Sequence, residues 1–173
     1  MSQEELKAAV MGVMEAFTKN PEAAKVVYRS KTELVENLRC KGTIRNFDPY
    51  TIDEPKDFGG GDAGPSPVEF LCMILGACQE ILYAAYAASM DIKLDECKID
   101  VKGNIDFRGC LGMDDNTPPG FSKIELVTHI KSSASEEALS QLVNAVEGRC
   151  PIYDSLIRPV EVVDEVFING VKK

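Results

Sequence analysis

A single apolar segment, residues 66–89, constrains the fold more than any other part of the sequence. It opens on Ser-Pro-Val-Glu (66–69), which is typical of a helix start, because a Ser N-cap is followed by Pro at the first helical position and by Glu three residues after the cap. The first half is apolar on every side, and the second half sets small alanines around Tyr83 and Tyr86. A helix without a polar face has to be surrounded by protein. We therefore expect a central core helix that runs to about Ser89.

The segments on either side of this helix alternate between strand and helix patterns. β-Branched and aromatic residues at 26–52 predict two or three antiparallel strands. The other predicted elements are a surface helix at 4–17, strands at 96–107, 123–129 and 159–168, a helix from Ser135 to about Gly148, and a short helix from Cys150 to about Ile157. Neither an internal repeat nor a domain linker is visible. The pattern predicts one α+β domain built around the core helix.

The composition excludes two classes of partner. The chain has 173 residues, enough for about one domain, and a formal charge of −9 with scattered basic residues. We therefore expect no nucleic acid and no membrane as partner. The most apolar run, Phe70–Cys78, is followed by Gln79 and Glu80 and is too short to span a bilayer. No secretory signal pattern precedes Pro21, so we expect a cytoplasmic protein whose six cysteines are not structural disulfides.

Several well-known sites have no support in the sequence. The one histidine, His129, falls inside a predicted strand, which argues against a Ser-His-Asp triad. The glycine-rich loop at 59–64 lacks the Gly-Lys-Ser/Thr ending of a phosphate-binding loop. No Cys-x-x-Cys pair occurs, so we expect no metal and no cofactor, although a zinc site built from distant cysteines stays open as an alternative. The chemistry is therefore expected from individual thiols.

Cys150 has local reasons to be a reactive thiol. A thiolate is stabilised by a helix N-terminus or by a neighbouring cation. Because Pro151 follows it, Cys150 takes the N-cap position of a short helix, and Arg149 precedes it. A buried cap residue without reactivity explains the same pattern equally well, so both interpretations of Cys150 stay open.

Cys78 depends on what the fold brings to it. It lies in the apolar helix, where burial raises the pKa of a thiol, but Gly76 and Ala77 leave room for another segment to approach. A cation brought in by the fold would activate it. The remaining cysteines are interpreted as structural; they are Cys40, Cys72, Cys97 and Cys110.

Two motifs, in this order, resemble those of a known family. Gly-Pro-Ser-Pro-Val-Glu-Phe-Leu (64–71) leads to Gly-Ala-Cys (76–78), and Arg-Cys-Pro-Ile-Tyr (149–153) follows much later. From about Val26 onward the chain resembles the OsmC/Ohr family of osmotically inducible and organic hydroperoxide resistance proteins, in its OsmC-like branch. The resemblance implies an α+β fold with antiparallel sheets wrapped around central core helices, and an intertwined homodimer with active sites at its interface.

The same resemblance suggests a division of the chain. Residues 1–20 look like an added N-terminal helical extension, and residues 21–173 look like a single OsmC-like domain.

The resemblance also implies a chemical role for each of two cysteines. In peroxidatic members, a thiolate on the core helix attacks the O–O bond of an organic hydroperoxide, and a second cysteine resolves the sulfenic acid as a disulfide. Here these residues would be Cys78 and Cys150, and an external dithiol would restore the pair. We expect a thiol peroxidase. The alternative is a non-peroxidatic relative that binds a small hydrophobic or thiol ligand in the same cleft.

The family further uses an arginine to hold the thiolate and a glutamate at the helix start to orient that arginine. Arg39 is the best match for the arginine, with Arg45 as the second choice. The glutamate position, directly after the proline, holds Val68 here, and the nearest carboxylate is Glu69. A shift of one residue turns a helical side chain by about 100°. Glu69 therefore has two interpretations, an orienting catalytic carboxylate or the third residue of a capping box.

Overall fold

Residues 2–173 are described by a computed structural model, and Met1 lies outside the described residues. The fold is α+β, as predicted. The helices are α1 (Gln3–Lys19), α2 (Pro67–Ser89), α3 (Phe107–Cys110), α4 (Glu136–Glu147) and α5 (Pro151–Ile157). The strands are β1 (Lys31–Glu36), β2 (Arg39–Thr43), β3 (Tyr50–Ile52), β4 (Glu96–Ile105), β5 (Phe121–Lys131), β6 (Phe167–Ile168) and β7 (Val171–Lys172).

The start of α2 is fixed by the capping box that its sequence predicts. Glu69 Oε2 accepts hydrogen bonds from the backbone N of Ser66 at 2.7 Å and from Ser66 Oγ at 2.9 Å. Ser66 Oγ in turn accepts a hydrogen bond from the backbone N of Glu69 at 3.4 Å. These contacts satisfy backbone N–H groups that a helix start otherwise leaves unpaired. The Ser66 amide and hydroxyl also hold the pKa of the Glu69 carboxyl below its ordinary value, against the opposing effect of burial.

Three antiparallel sheets carry the strands. The first has the order β1-β2-β3, the second is the long β4-β5 pair, and the third is the short β6-β7 hairpin. In the β4-β5 pair, Glu96 lies opposite Lys131 and Gly103 lies opposite Ile124, so the two strands pair over nearly their full length. Helix α2 packs against β4, α1, α4 and α5, which makes it the centre of the fold.

The core lies where α2 and α4 meet. Its fully buried members are Tyr83 and Ala87 of α2, Ile92 after α2, and Leu142 and Val146 of α4. Leu142 and Val146 are spaced i, i+4 and therefore share one face of α4, as their sequence pattern predicts. This core anchors the second half of α2, from which the chemistry-bearing residues are positioned.

The prediction that α2 is surrounded by protein is wrong for the single chain. Met73, Ile74 and Ile81 are 55%, 44% and 68% exposed, so one side of the helix is uncovered. By length and composition alone, α2 would be able to cross a membrane, a test that core helices of soluble proteins also pass. Within the fold it is the central helix and carries the buried Gln79 on the side that meets the rest of the chain.

The predicted strand at 159–168 is wrong over most of its length. Strand structure is confined to Phe167–Ile168, which pairs with Val171–Lys172. Val160, Val162 and Val163 have high strand propensity, but β-branched residues form strands only where a partner strand is available. The predicted strand at 96–107 ends earlier, at Ile105, and the short helix α3 begins at Phe107.

Gly76 sets how closely α2 approaches β4. A Cβ at this position would lie 3.2 Å from Val101 Cγ2 and 3.6 Å from the carbonyl oxygen of Ile99. We expect Gly76→Val to lower the free energy of unfolding by about 1–3 kcal/mol, because overpacking forces the helix away from the strand. Urea unfolding followed by circular dichroism measures this change.

The matched control is Gly12→Val, the same substitution in another helix. A Cβ on Gly12 would meet nothing within 4 Å. Its free energy of unfolding should therefore change little, since glycine and valine are both weak helix formers. Equal losses of stability in the two variants would contradict the close approach of α2 to β4.

Candidate active site

Cys78 and Cys150 lie in direct contact although 72 residues separate them in the sequence. Their Sγ atoms are 3.2 Å apart, and both thiols are free. A disulfide has an S–S distance of about 2.05 Å, so the observed pair is a reduced contact rather than a bond. The fold therefore brings together two of the four candidate catalytic residues from the sequence analysis, which are Cys78, Cys150, Arg39 and Glu69.

Each sulfur is positioned by a helix. Cys78 lies midway along α2, and Cys150 is the N-cap of α5, where its Sγ accepts a hydrogen bond from the backbone N of Tyr153 at 3.4 Å. Pro151 occupies the first helical position, as the sequence predicts. Cys150 is buried and Cys78 is half-buried. The contact of α2 with α5 is what fixes the two sulfurs relative to each other.

The surroundings of Cys78 favour the neutral thiol. Burial raises the pKa of Cys78 above the ordinary cysteine value, and its contact with Cys150 raises it further. The backbone of Ile152 has a smaller opposite effect. Within residues 2–173, no Lys or Arg side chain donates a hydrogen bond to either sulfur. In the single chain the cation that would stabilise a thiolate is therefore missing.

Arg149, the predicted neighbouring cation of Cys150, is directed elsewhere. Its Nη1 donates a hydrogen bond to the carbonyl oxygen of Ala145 at 2.7 Å, and its guanidinium lies 5.7 Å from the centre of the Tyr86 ring. The N-cap position predicted for Cys150 is confirmed by its geometry. The predicted stabilisation of its sulfur by Arg149 is not.

Arg39 is held by two carboxylates. Its Nη2 lies 2.8 Å from Glu36 Oε2, and its Nε lies 3.7 Å from Asp53 Oδ2. The Nε atom is buried and has no hydrogen-bond partner within the described part of the chain. Arg45, the second choice, lies with its guanidinium 4.7 Å from the centre of the Phe47 ring. Neither arginine is hydrogen-bonded to Cys78 or Glu69.

Asp53 is a residue that sequence reasoning missed. It is 1% exposed, and it accepts hydrogen bonds from the backbone N of Glu54 at 2.9 Å, Gly61 at 3.2 Å and Ala63 at 3.1 Å. Burial opposes ionisation, but the three amides, with a smaller contribution from Arg39, hold the pKa of Asp53 below its ordinary value. Asp53 therefore ties the glycine-rich loop to Arg39. The sequence feature that could have pointed to Asp53 is an acidic residue directly after a strand, followed by a glycine-rich loop whose backbone N–H groups need acceptors.

Glu69 lies far from the sulfurs. It is nine residues before Cys78 on the same helix, which corresponds to about 13 Å along the axis. Its carboxylate is engaged by Ser66 in the capping box. The structure thus joins the two cysteines, whereas Arg39 pairs with Glu36 and Asp53 and Glu69 pairs with Ser66. No group of three or more His, Cys, Asp and Glu side chains within residues 2–173 is arranged to hold a metal ion.

Two adjoining cavities both include in their lining Tyr153, whose backbone N donates the hydrogen bond to Cys150 Sγ. One, of about 490 Å³, is lined mainly by apolar residues from α2, β5 and α5, including Leu71, Leu75 and Leu156. The other, of about 420 Å³, is more polar and includes Gln79 and Tyr83. Their shared wall consists of Ile124, Leu126 and Tyr153. Together they form one cleft between α2 and β5.

Solved structures with the same fold are found in several bacteria. An OsmC-like protein from Mycoplasma pneumoniae matches with a TM-score of 0.65 and 22% identity, over 76% of this chain and 88% of that one. An organic hydroperoxide resistance protein OsmC from Legionella pneumophila has a TM-score of 0.55 and 16% identity, over 77% and 92% of the two chains. At these identities the likeness concerns the fold.

A third structure was determined with a small molecule present. It is an organic hydroperoxide resistance protein from Vibrio cholerae with captopril bound in one of its active sites, and it matches with a TM-score of 0.56 and 17% identity over 86% of this chain and 96% of that one. Among curated protein sequences, none matches.

The family model described as OsmC-like protein matches residues 59–163 of the sequence. The matched range begins at the glycine-rich loop and contains α2, the β4-β5 pair, α4 and α5. It also contains both sulfurs that meet in the structure. The chain therefore belongs to the OsmC-like protein family.

Proposed function

We propose that the protein is a cytoplasmic thiol peroxidase that reduces organic hydroperoxides, with Cys78 as the attacking thiol and Cys150 as the resolving thiol. The observation that carries this proposal is the 3.2 Å contact between the two Sγ atoms. Free cysteines this close, one of them at a helix N-terminus, are suited to reversible disulfide formation. Membership of the OsmC-like family supports hydroperoxide chemistry in general, and the roles of the two cysteines are the specific part of the proposal.

The reaction balances without a metal or a cofactor. The Cys78 thiolate attacks the terminal oxygen of R–O–O–H, the O–O bond breaks, and the alkoxide leaves and takes up a proton as the alcohol. Cys78 is thereby oxidised to a sulfenic acid. The Cys150 sulfur then attacks the Cys78 sulfur, the S–O bond breaks, and water leaves as the disulfide forms. An external dithiol reduces this disulfide by two thiol–disulfide exchanges.

The apolar cavity supports an organic substrate rather than hydrogen peroxide. Its volume of about 490 Å³ is large for a water-sized oxidant, and leucine side chains of α2 and α5 line it. Tyr153 belongs to the cavity wall and donates its backbone N–H to Cys150 Sγ, which links the cavity to the cysteine pair through one residue. An alkyl or aryl group bound here would be removed from water, which favours binding in proportion to its apolar area.

A homodimer is part of the proposal. The first sheet and α2 expose apolar side chains such as Leu34 (68%) and Ile81 (68%), and exposed apolar surface of this extent marks an interface. In a dimer, Arg39 of a second copy would supply the cation that Cys78 lacks, and Glu69 would keep the role of orienting carboxylate that the family resemblance implies.

Sedimentation equilibrium tests the proposed dimer and should give twice the mass of the chain. A monomer at micromolar concentration would contradict this arrangement.

The raised pKa of Cys78 favours one second candidate. A thiol that stays protonated is a poor nucleophile, and the same cleft would then bind a small hydrophobic or thiol ligand without turnover. Native mass spectrometry of protein purified from cells distinguishes the two functions. A retained ligand with no peroxide consumption would favour the binding protein, whereas fast consumption by ligand-free protein would reject it.

Two cysteine variants test the proposed peroxidase directly. We expect Cys78→Ser to lower the rate of cumene hydroperoxide reduction by about a hundredfold or more, because the attacking sulfur is lost. We expect Cys150→Ser to complete one turnover and then stop as a Cys78 sulfenic acid, which dimedone traps and mass spectrometry detects. Cys110→Ser is the matched control, since Cys110 is exposed and outside the pair. Equal activity in the Cys78→Ser variant and the unchanged protein would reject the assignment.

The pH dependence of the first oxidation follows from the pKa of Cys78. Burial and Cys150 raise this pKa, and in the proposed dimer Arg39 of the second copy opposes that rise, so removing the cation should leave a small thiolate fraction at neutral pH. We expect the single-turnover rate of Arg39→Gln to increase from about pH 6 to about pH 9, by about tenfold per unit below the pKa.

Removing the Cys150 side chain tests whether its contact raises the pKa of Cys78. Cys150→Ala eliminates one of the contributions that raise the pKa of Cys78, so its rate profile should shift to lower pH. A flat profile over the whole range in Arg39→Gln would contradict the buried, uncompensated thiol.

A further inference from the structure

The cleft beside the sulfurs changes from apolar to polar along its length. On α2, the residues Leu71, Leu75, Gln79 and Tyr83 follow each other at i+4 steps and therefore share one face of the helix. On β5, the residues Ile124, Leu126 and Thr128 alternate along the strand and share one face of the sheet. Both walls begin with aliphatic side chains and end with hydrogen-bonding ones. The cleft is therefore shaped for an amphipathic molecule.

Gln79 is a buried amide without a protein partner. It is 7% exposed and lines the polar cavity, yet its side chain makes no hydrogen bond within residues 2–173. A glutamine amide offers two donors and two acceptor lone pairs, and those of Gln79 are open to the cavity. A polar group bound in the cavity would hydrogen-bond to them.

Glu147 and Tyr83 define the charge of this polar end. Glu147 is the one charged side chain among the described residues that line the polar cavity. Burial, followed by the charge of Glu147, raises the pKa of Tyr83, so its hydroxyl stays neutral. Lys123 lies at the apolar cavity, but its Nζ is paired with Glu125 Oε1 at 2.6 Å. A carboxylate at the polar end would therefore face a like charge with no free cation beside it.

We propose that Gln79 and Glu147 form a head-group subsite that selects amphipathic hydroperoxides with a neutral hydrogen-bonding head, such as an amide, and rejects those with a carboxylate. This inference rests on the proposed peroxidase function and names its substrate class. The apolar body of the substrate occupies the cavity lined by Leu71 and Leu75. Gln79 directly follows Cys78, and Tyr153, whose backbone N donates to Cys150 Sγ, lines both cavities, so each sulfur belongs to a residue next to or in contact with the cleft wall.

The test compares two substrates that differ at the head group alone. Linoleic acid hydroperoxide and its primary amide share one hydroperoxide and one apolar chain. We expect kcat/KM to be about tenfold higher for the amide, the ratio that corresponds to about 1.4 kcal/mol. Gln79→Met, which keeps the side-chain volume, should lower kcat/KM for the amide and reduce the ratio. Glu147→Gln should raise kcat/KM for the acid.

Glu137→Gln is the matched control for Glu147→Gln, since Glu137 lies in the first turn of the same helix and is exposed. It should leave the ratio unchanged. A ratio near one in the unchanged protein, or a ratio that neither variant at the subsite alters, would overturn the proposal.

A binding measurement separates this inference from the peroxidase function. Isothermal titration with the corresponding alcohols, which cannot be reduced, should show the amide binding about tenfold more tightly than the acid. This binding preference is expected even if the protein turns over no hydroperoxide. Binding of this kind without turnover would overturn the proposed peroxidase function alone. Turnover of cumene hydroperoxide together with equal binding of both alcohols would overturn the subsite alone.

Discussion

The packing of α2 against the first turn of α5 is the constraint on which the rest of the site depends. Cys78 cannot move far without shifting the helix that anchors the core, and Cys150 cannot move far without uncapping α5. The 3.2 Å contact between their sulfurs is therefore a property of packing between regular elements. Closing that gap to a disulfide length of about 2.05 Å requires a small movement. Residues of the same two helices also line the apolar cavity.

The sequence predicted the elements whose signals are local. The capping pattern at Ser66 and Glu69 and the Cys150-Pro151 start of α5 were both confirmed, because caps and helical periodicity depend on neighbours along the chain. The strand predicted at 159–168 was wrong because strand formation depends on a partner elsewhere. The meeting of Cys78 and Cys150 could not be derived from spacing, since 72 residues separate them; it was implied by the family resemblance alone.

Within the described residues, no Lys or Arg side chain is hydrogen-bonded to the sulfur of Cys78 or Cys150. Arg39 was nominated as the cation for Cys78, but in the structure it pairs with Glu36 and with Asp53, whose importance depends on loop amides that no sequence pattern announced. Burial and the contact with Cys150 raise the pKa of Cys78, whereas another side of the same helix stays uncovered and apolar. A second copy of the chain would address both.

The most direct test of the central claim is to titrate the fully reduced protein with one equivalent of cumene hydroperoxide and map its disulfides by peptide mass spectrometry. We expect a single bond, between Cys78 and Cys150, with the other four of the six cysteines still reduced. A bridge between other cysteines, or an oxidised Cys78 beside a Cys150 that stays a free thiol, would contradict it.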